Sequence, residues 1–208
     1  MGYMAGTFKD VMFVYALLFF AETFALYIYY YGWNAMQNRA PYSARLQLIF
    51  KAIGVALFVV TVLFFFDVIG WEMRGDTRTF MALLYLLPLS IGFYMMKDLK
   101  STHIFIGIVL NVVGTAIMQA ANSMAGFMMS PAGVNEAGAL TGHVWVAFEN
   151  ILATPIAVHR MLGNLAFGGL VAGSYAAVKF IGSKNQADKA HYDWMGYIAN
   201  LVAIAALI

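Results

Sequence analysis

Apolar runs of about twenty residues, parted by short polar breaks, set the rhythm of this chain. Runs over 11–33, 46–70, 80–96, 103–125 and 155–181 each match the ~17–25 residues that a helix needs to cross a bilayer's hydrocarbon layer. A sixth run starts near Tyr192 and is still apolar at Ile208. A helix end inside hydrocarbon leaves carbonyls unpaired, so this run reads as a span cut short. The rhythm breaks once, over 126–154. There Met128-Met129-Ser130-Pro131-Ala132-Gly133 is turn chemistry. The stretch after it places Val144, Phe148, Ile151 and Leu152 on one helical face, with His143, Glu149 and Asn150 off it. That pattern predicts an amphipathic helix, lying at the membrane interface or contacting a partner. The predicted fold is all-α: a polytopic membrane helix bundle of about six transmembrane helices, the last truncated, plus one amphipathic interfacial helix. All of it is expected in a single domain over residues 1–208.

Composition supports this reading. The chain is 62% hydrophobic and 11% charged, where a soluble domain is nearer half apolar and a quarter charged. It holds no cysteine, which excludes disulfides, thiolate metal sites and iron–sulfur ligation by this chain. The N-terminal apolar run is too long for a signal peptide and lacks a small-residue cleavage site. The net charge of +2 is spread over the loops, so nucleic acid is not an expected partner. Arg39, Arg45, Lys97, Lys100, Lys179, Lys184 and Lys189 fall on one side of the predicted spans, and Lys9, Arg74, Arg78 and Arg160 on the other. The positive-inside rule makes the first side cytoplasmic. It places the N-terminus, the 126–154 connection and His159 toward the outside.

Few residues carry chemistry. His159 opens the fifth span, and Gly163 follows at i+4 on the same face. A flat tetrapyrrole ligated by an imidazole needs a small neighbour there, and haem iron accepts histidine. A headgroup-bound interfacial histidine fits the same residues. Arg160 suits a haem propionate, a quinol oxygen or a lipid headgroup. Glu22 lies in the middle of the first span, where a carboxylate is expensive and its default reading is functional. Metal or haem ligation, a proton relay and a neutral hydrogen-bonded acid all remain open for it. Asn111, Gln119 and Asn122 in the fourth span suit either polar ligand groups or bridges between helices. His143 is a candidate second ligand or quinol-site group. His103 and His191 read as interfacial, Lys51 as snorkelling, and Asp67 as a capped or water-exposed acid or part of a proton path. Gly169 and Gly173 form a Gly-x-x-x-Gly pair suited to close helix packing.

Three segments together resemble a known family. Ala21-Glu22-Thr23-Phe24 with a later Gly32-Trp33, Gln119-Ala120-Ala121-Asn122 followed by 128–133, and 148–157 leading into Val158-His159 resemble subunit I of cytochrome bd-type quinol oxidases, in family order. The resemblance covers roughly residues 12–33 and 102–208. It implies that Glu22 stands at a buried haem and that His159 ligates a low-spin haem b beside an outer quinol site; Arg160, His143, Asn122 and Gly163 are the further candidate cofactor-binding residues, from the reading of the residues themselves. The implied protein is a multi-pass, haem b-binding component of a quinol-dependent oxidoreductase in a prokaryotic inner membrane. The implied partners are other membrane subunits of a respiratory complex, quinol or quinone, lipid, and a cytochrome c or other periplasmic redox protein. The chain departs from the family in three ways. The segment before His159 is about one turn shorter, 46–96 adds two spans, and no histidine precedes His103. The family's oxygen-site histidine therefore has no counterpart here. A proton- or ion-translocating subunit, or a cofactor-free scaffold subunit, accounts for the same spans without haem.

Overall fold

The computed structural model describes residues 6, 8–34, 36, 40–69, 74–136 and 150–208. Its helices are α1 (Lys9–Tyr31), α2 (Ala44–Phe65), α3 (Gly75–Met95), α4 (Leu99–Met129), α5 (Ala153–Gly182) and α6 (Gln186–Leu207). Among the described residues α1 to α5 are long and apolar enough to cross a membrane, and no strand forms beyond an isolated bridge between Pro41 and Asp98. The described residues are thus all-helical, and these five helices point to a membrane protein. The predicted interfacial helix over 140–153 lies largely outside the described residues, as do His143 and Glu149.

Local chemistry fixes the helix ends. The Ser43 hydroxyl accepts from Leu46 N–H to start α2, and the Asn185 side chain accepts from Ala187 N–H at the start of α6. Asp98 and Ser101 form a reciprocal capping box before α4, with Ser101 N–H donating to Asp98 Oδ1 at 2.7 Å. That cap starts α4 one turn ahead of His103. After α2 the backbone turns through Asp67 at φ 62°, a left-handed conformation that short polar side chains tolerate better than most. Arg78 forms an ion pair with the same aspartate. Within α3, Pro88 has no N–H to donate and crowds the carbonyl four residues back. The helix widens into a π turn over Ala82–Leu86, where Leu87 N–H reaches Ala82 O.

The chain falls into two compact units, Met1–Thr154 and Pro155–Ile208. In the first, α1 packs along α4, α2 along α3, and α3 on α4. Seams form where glycine lets backbones meet. A Cβ on Gly54 of α2 would stand 2.7 Å from Tyr94 N and 2.9 Å from Ser90 O on α3, and Ser90 Oγ donates to Gly54 O across this contact. In the second unit the pair Gly169 and Gly173 lies against α6. A Cβ at Gly169 would come within 2.7 Å of Ala199 O, and one at Gly173 within 2.8 Å of Asn200 Oδ1. The Gly-x-x-x-Gly pair therefore serves helix packing. Large apolar side chains face outward, with Phe13, Phe20 and Phe24 of α1 exposing 64–66% of their surface. In water such a face is an association liability; in hydrocarbon it is simply solvated.

Candidate functional site

The α1/α4 seam sets the environment of Glu22. Contacts step in opposite directions along the two helices, as antiparallel packing requires: Phe8 meets Phe127 edge-on at 5.1 Å, Glu22 faces Gly114, and Tyr29 lies over Gly107. The Glu22 carboxylate is half-buried in mid-helix. Its Oε1 stands 3.2 Å from where a Cβ on residue 114 would lie. Gly114 thus leaves the volume that the carboxylate occupies.

Further along α4 the seam becomes polar and closed. Gln119, Asn122 and Ser123 are all buried. Tyr85, from the π turn of α3, donates its hydroxyl to Gln119 Oε1 at 3.3 Å, and Ser123 Oγ donates to Gln119 O. Gln119 Nε2 is buried and has no acceptor among the described residues. Asn122 stands eight residues beyond Gly114 on α4, about 12 Å along the axis. Glu22 and Asn122 are therefore not brought together. At the end of α4, Asn150 Nδ2 donates to Gly126 O at 3.3 Å and to Ser130 O, while its Oδ1 accepts from Leu152 N–H at 2.7 Å. Beside it Thr77 and Thr154 share a hydrogen bond at 3.2 Å. Asn150 and Tyr85 organise this layer, and sequence reasoning assigned neither a role. A signal for Asn150 existed, since an asparagine bonding the N–H two residues on is a common turn device. Tyr85 had none, because its partner lies 34 residues away.

His103 corrects an expectation. It is not exposed at the surface of this unit: it is 7% exposed, stacked on Tyr29 with ring centres 4.1 Å apart and met edge-on by Trp33 at 5.3 Å. The physical reason is the capping box, which starts α4 early enough to carry His103 onto the aromatic end of α1. Neither ring nitrogen has a hydrogen-bond partner among the described residues. His191 is exposed and touches Tyr192 edge-on. Asn111 Nδ2 donates back to Gly107 O within α4.

In the second unit His159 stands in the second turn of α5 and is exposed, as is Arg160. No hydrogen bond to the imidazole forms among the described residues. Gly163, one turn on, has no heavy atom within 4 Å of a built Cβ. The imidazole belongs to an exposed residue with no hydrogen-bond partner among the described residues, and the space at Gly163 is left open. These are the two features that axial ligation of a tetrapyrrole asks of a helix, and they fit a haem in those respects. Among the described residues no three His, Asp or Glu side chains converge as a metal-binding group.

Comparison with family models, with curated proteins and with solved structures finds no match for this chain.

Proposed function

We propose that this chain is a haem b-binding membrane subunit of a respiratory electron-transfer complex, exchanging electrons with quinol in the manner of the cytochrome bd-type subunit I that its sequence resembles. The supporting observation is the exposed His159 imidazole, with Gly163 leaving open space one turn away. In this reading His159 would ligate the haem iron, and Gly163 would leave room for the group. Arg160 supplies a cation for a propionate or a quinol oxygen. Haem, when bound, supplies a one-electron ferrous/ferric carrier. The chain's own part is to hold and orient it, to limit water at the site, and to manage protons. Quinol gives up two protons with its two electrons, so an acceptor is required. Glu22, half-buried in the space left by Gly114, serves a proton path or a second buried cofactor. The reading carries with it a prokaryotic inner-membrane location with the N-terminus outside, quinol as substrate, and partner subunits including a periplasmic redox protein such as a cytochrome c.

The test is a reduced-minus-oxidised absorption spectrum of the purified membrane protein. A b-type α-band that disappears in His159→Ala supports the reading. A band that survives the substitution rejects this ligand, and colourless protein rejects the haem. One observation favours a second reading: the accommodated mid-helix carboxylate of Glu22 is also what a proton- or ion-translocating subunit requires. That alternative expects colourless protein with ion flux in liposomes that Glu22→Gln abolishes.

A further inference from the structure

At the membrane end where α2 begins, α3 ends and α4 begins, the first unit carries a concavity of about 530 Å³. Lysines from three places in the chain line it: Lys51 on α2, Lys97 in the α3–α4 turn, and Lys100 in the first turn of α4. All three are exposed, and none makes an ion pair among the described residues. Asp98 is the acidic residue of the lining. It is buried, and its Oδ1 accepts the Ser101 N–H at 2.7 Å as a helix cap. Three cations against one committed anion leave the lining net positive.

The fold holds this arrangement in place. Tyr42 N–H donates to Lys97 O at 2.8 Å, Gln47 Nε2 donates to Tyr42 O at 2.7 Å, and the capping box fixes the turn into α4. Lys51 stands one turn before Gly54, whose contact with the Tyr94 backbone clamps α2 to α3. Topology alone asks only for lysines in the flanking loops. It does not ask that one be carried two turns into a span and aimed at the same hollow as two loop lysines. The other wall of the hollow is apolar: Tyr94 is 53% exposed and Ile104 49%. A cationic floor beside a hydrocarbon-facing wall matches a molecule with an anionic head and an apolar tail. Lys179 and Lys189 of the second unit differ, since each lies within 6 Å of an aromatic ring of its own unit, over Tyr175 and Phe180.

We propose that this three-lysine hollow is a binding site for an anionic membrane phospholipid, with the phosphate held by Lys51, Lys97 and Lys100 and the acyl chains lying along Tyr94 and Ile104. Basic pockets between membrane helices bind such headgroups through charge and donor number rather than through one fixed geometry. The inference is independent of any haem.

The test uses the full chain in detergent, with cardiolipin and phosphatidylcholine offered in competition and retained lipid counted by native mass spectrometry. Wild type is expected to retain cardiolipin over phosphatidylcholine. The triple variant Lys51→Gln/Lys97→Gln/Lys100→Gln should lose that retention at least tenfold. Lys179→Gln/Lys184→Gln/Lys189→Gln removes the same charge and should keep it. Equal retention in wild type and the first variant overturns the site, and so does equal loss in both variants. If millimolar inorganic phosphate displaces cardiolipin completely, the hollow is a phosphate site and the lipid assignment fails. Should the triple variant not fold, Lys51→Gln and Lys100→Gln singly decide. A threefold loss in each supports the site, and wild-type retention in both overturns it.

Discussion

Two neighbouring glycines on α5 offer a controlled measurement of what holds the second unit together. Gly168 and Gly169 sit in the same helix and both gain the intrinsic propensity of alanine, at most ~1 kcal/mol each. Their surroundings differ. A Cβ at Gly168 meets nothing within 4 Å, whereas one at Gly169 would stand 2.7 Å from Ala199 O, 2.9 Å from Ala203 Cβ and 3.0 Å from Ala203 N. Two of those three atoms are backbone, so no rotamer change relieves the clash, and α5 and α6 must part. Ordinary contact begins near 3.4 Å, so the shortest approach needs a shift of 0.7 Å. Overpacking of this kind costs ~1–3 kcal/mol. Because both variants gain the same propensity, the difference between them retains the whole of that cost, roughly a 5- to 150-fold change in the unfolding equilibrium. The assay is unfolding in mixed micelles with rising dodecyl sulfate, followed by circular dichroism. Gly168→Ala should match or exceed wild type, and Gly169→Ala should unfold earlier. Equal midpoints, or a greater loss at position 168, would refute close packing of α5 on α6 through this glycine pair.

Two further outcomes follow from buried and strained groups in the first unit. Tyr85→Phe removes the donor to the buried Gln119 Oε1 and should destabilise by about 1–2 kcal/mol in the same assay. Adding Gln119→Leu should recover much of that loss, because removing both partners leaves no unsatisfied polar atom. At Asp67, where φ is positive, Asp67→Val should cost ~1–2 kcal/mol through its Cβ branching. Asp67→Gly should stay within ~1 kcal/mol of wild type, because the ion pair lost with Arg78 involves an aspartate side chain that is 53% exposed.

What could be read in the sequence follows from the range of each interaction. Transfer into hydrocarbon acts residue by residue, so an apolar run of span length declares its helix without knowledge of its neighbours. The spans around α1, α2 and α5 were legible in this way. The capping chemistry at Asp98 and Asn185 is legible too, being confined to three residues, but what the cap brings into contact is not. The box at Asp98 starts α4 at Leu99 rather than His103, and that one turn moves an expected surface histidine into an aromatic stack with Tyr29 and Trp33. The Gly-x-x-x-Gly spacing announced a seam, but only the packed helices named Ala199, Asn200 and Ala203 as its other side.

The candidate site divides along the same line. Glu22 and His159 stood out because a charge in mid-span and an imidazole at a span entrance are costly or reactive wherever the rest of the chain lies. The composition and order of the residues determined that this chain forms helices long and apolar enough to cross a membrane, and where those groups sit along them. Tertiary structure alone decided that Gly114 makes room for Glu22, that Gln119 answers Tyr85 across 34 residues, and that Lys51 shares a hollow with Lys97 and Lys100. Each of those depends on which helix faces which, and helix pairing is chosen by the fit of small side chains and buried polar groups across a seam, a property that no single segment carries.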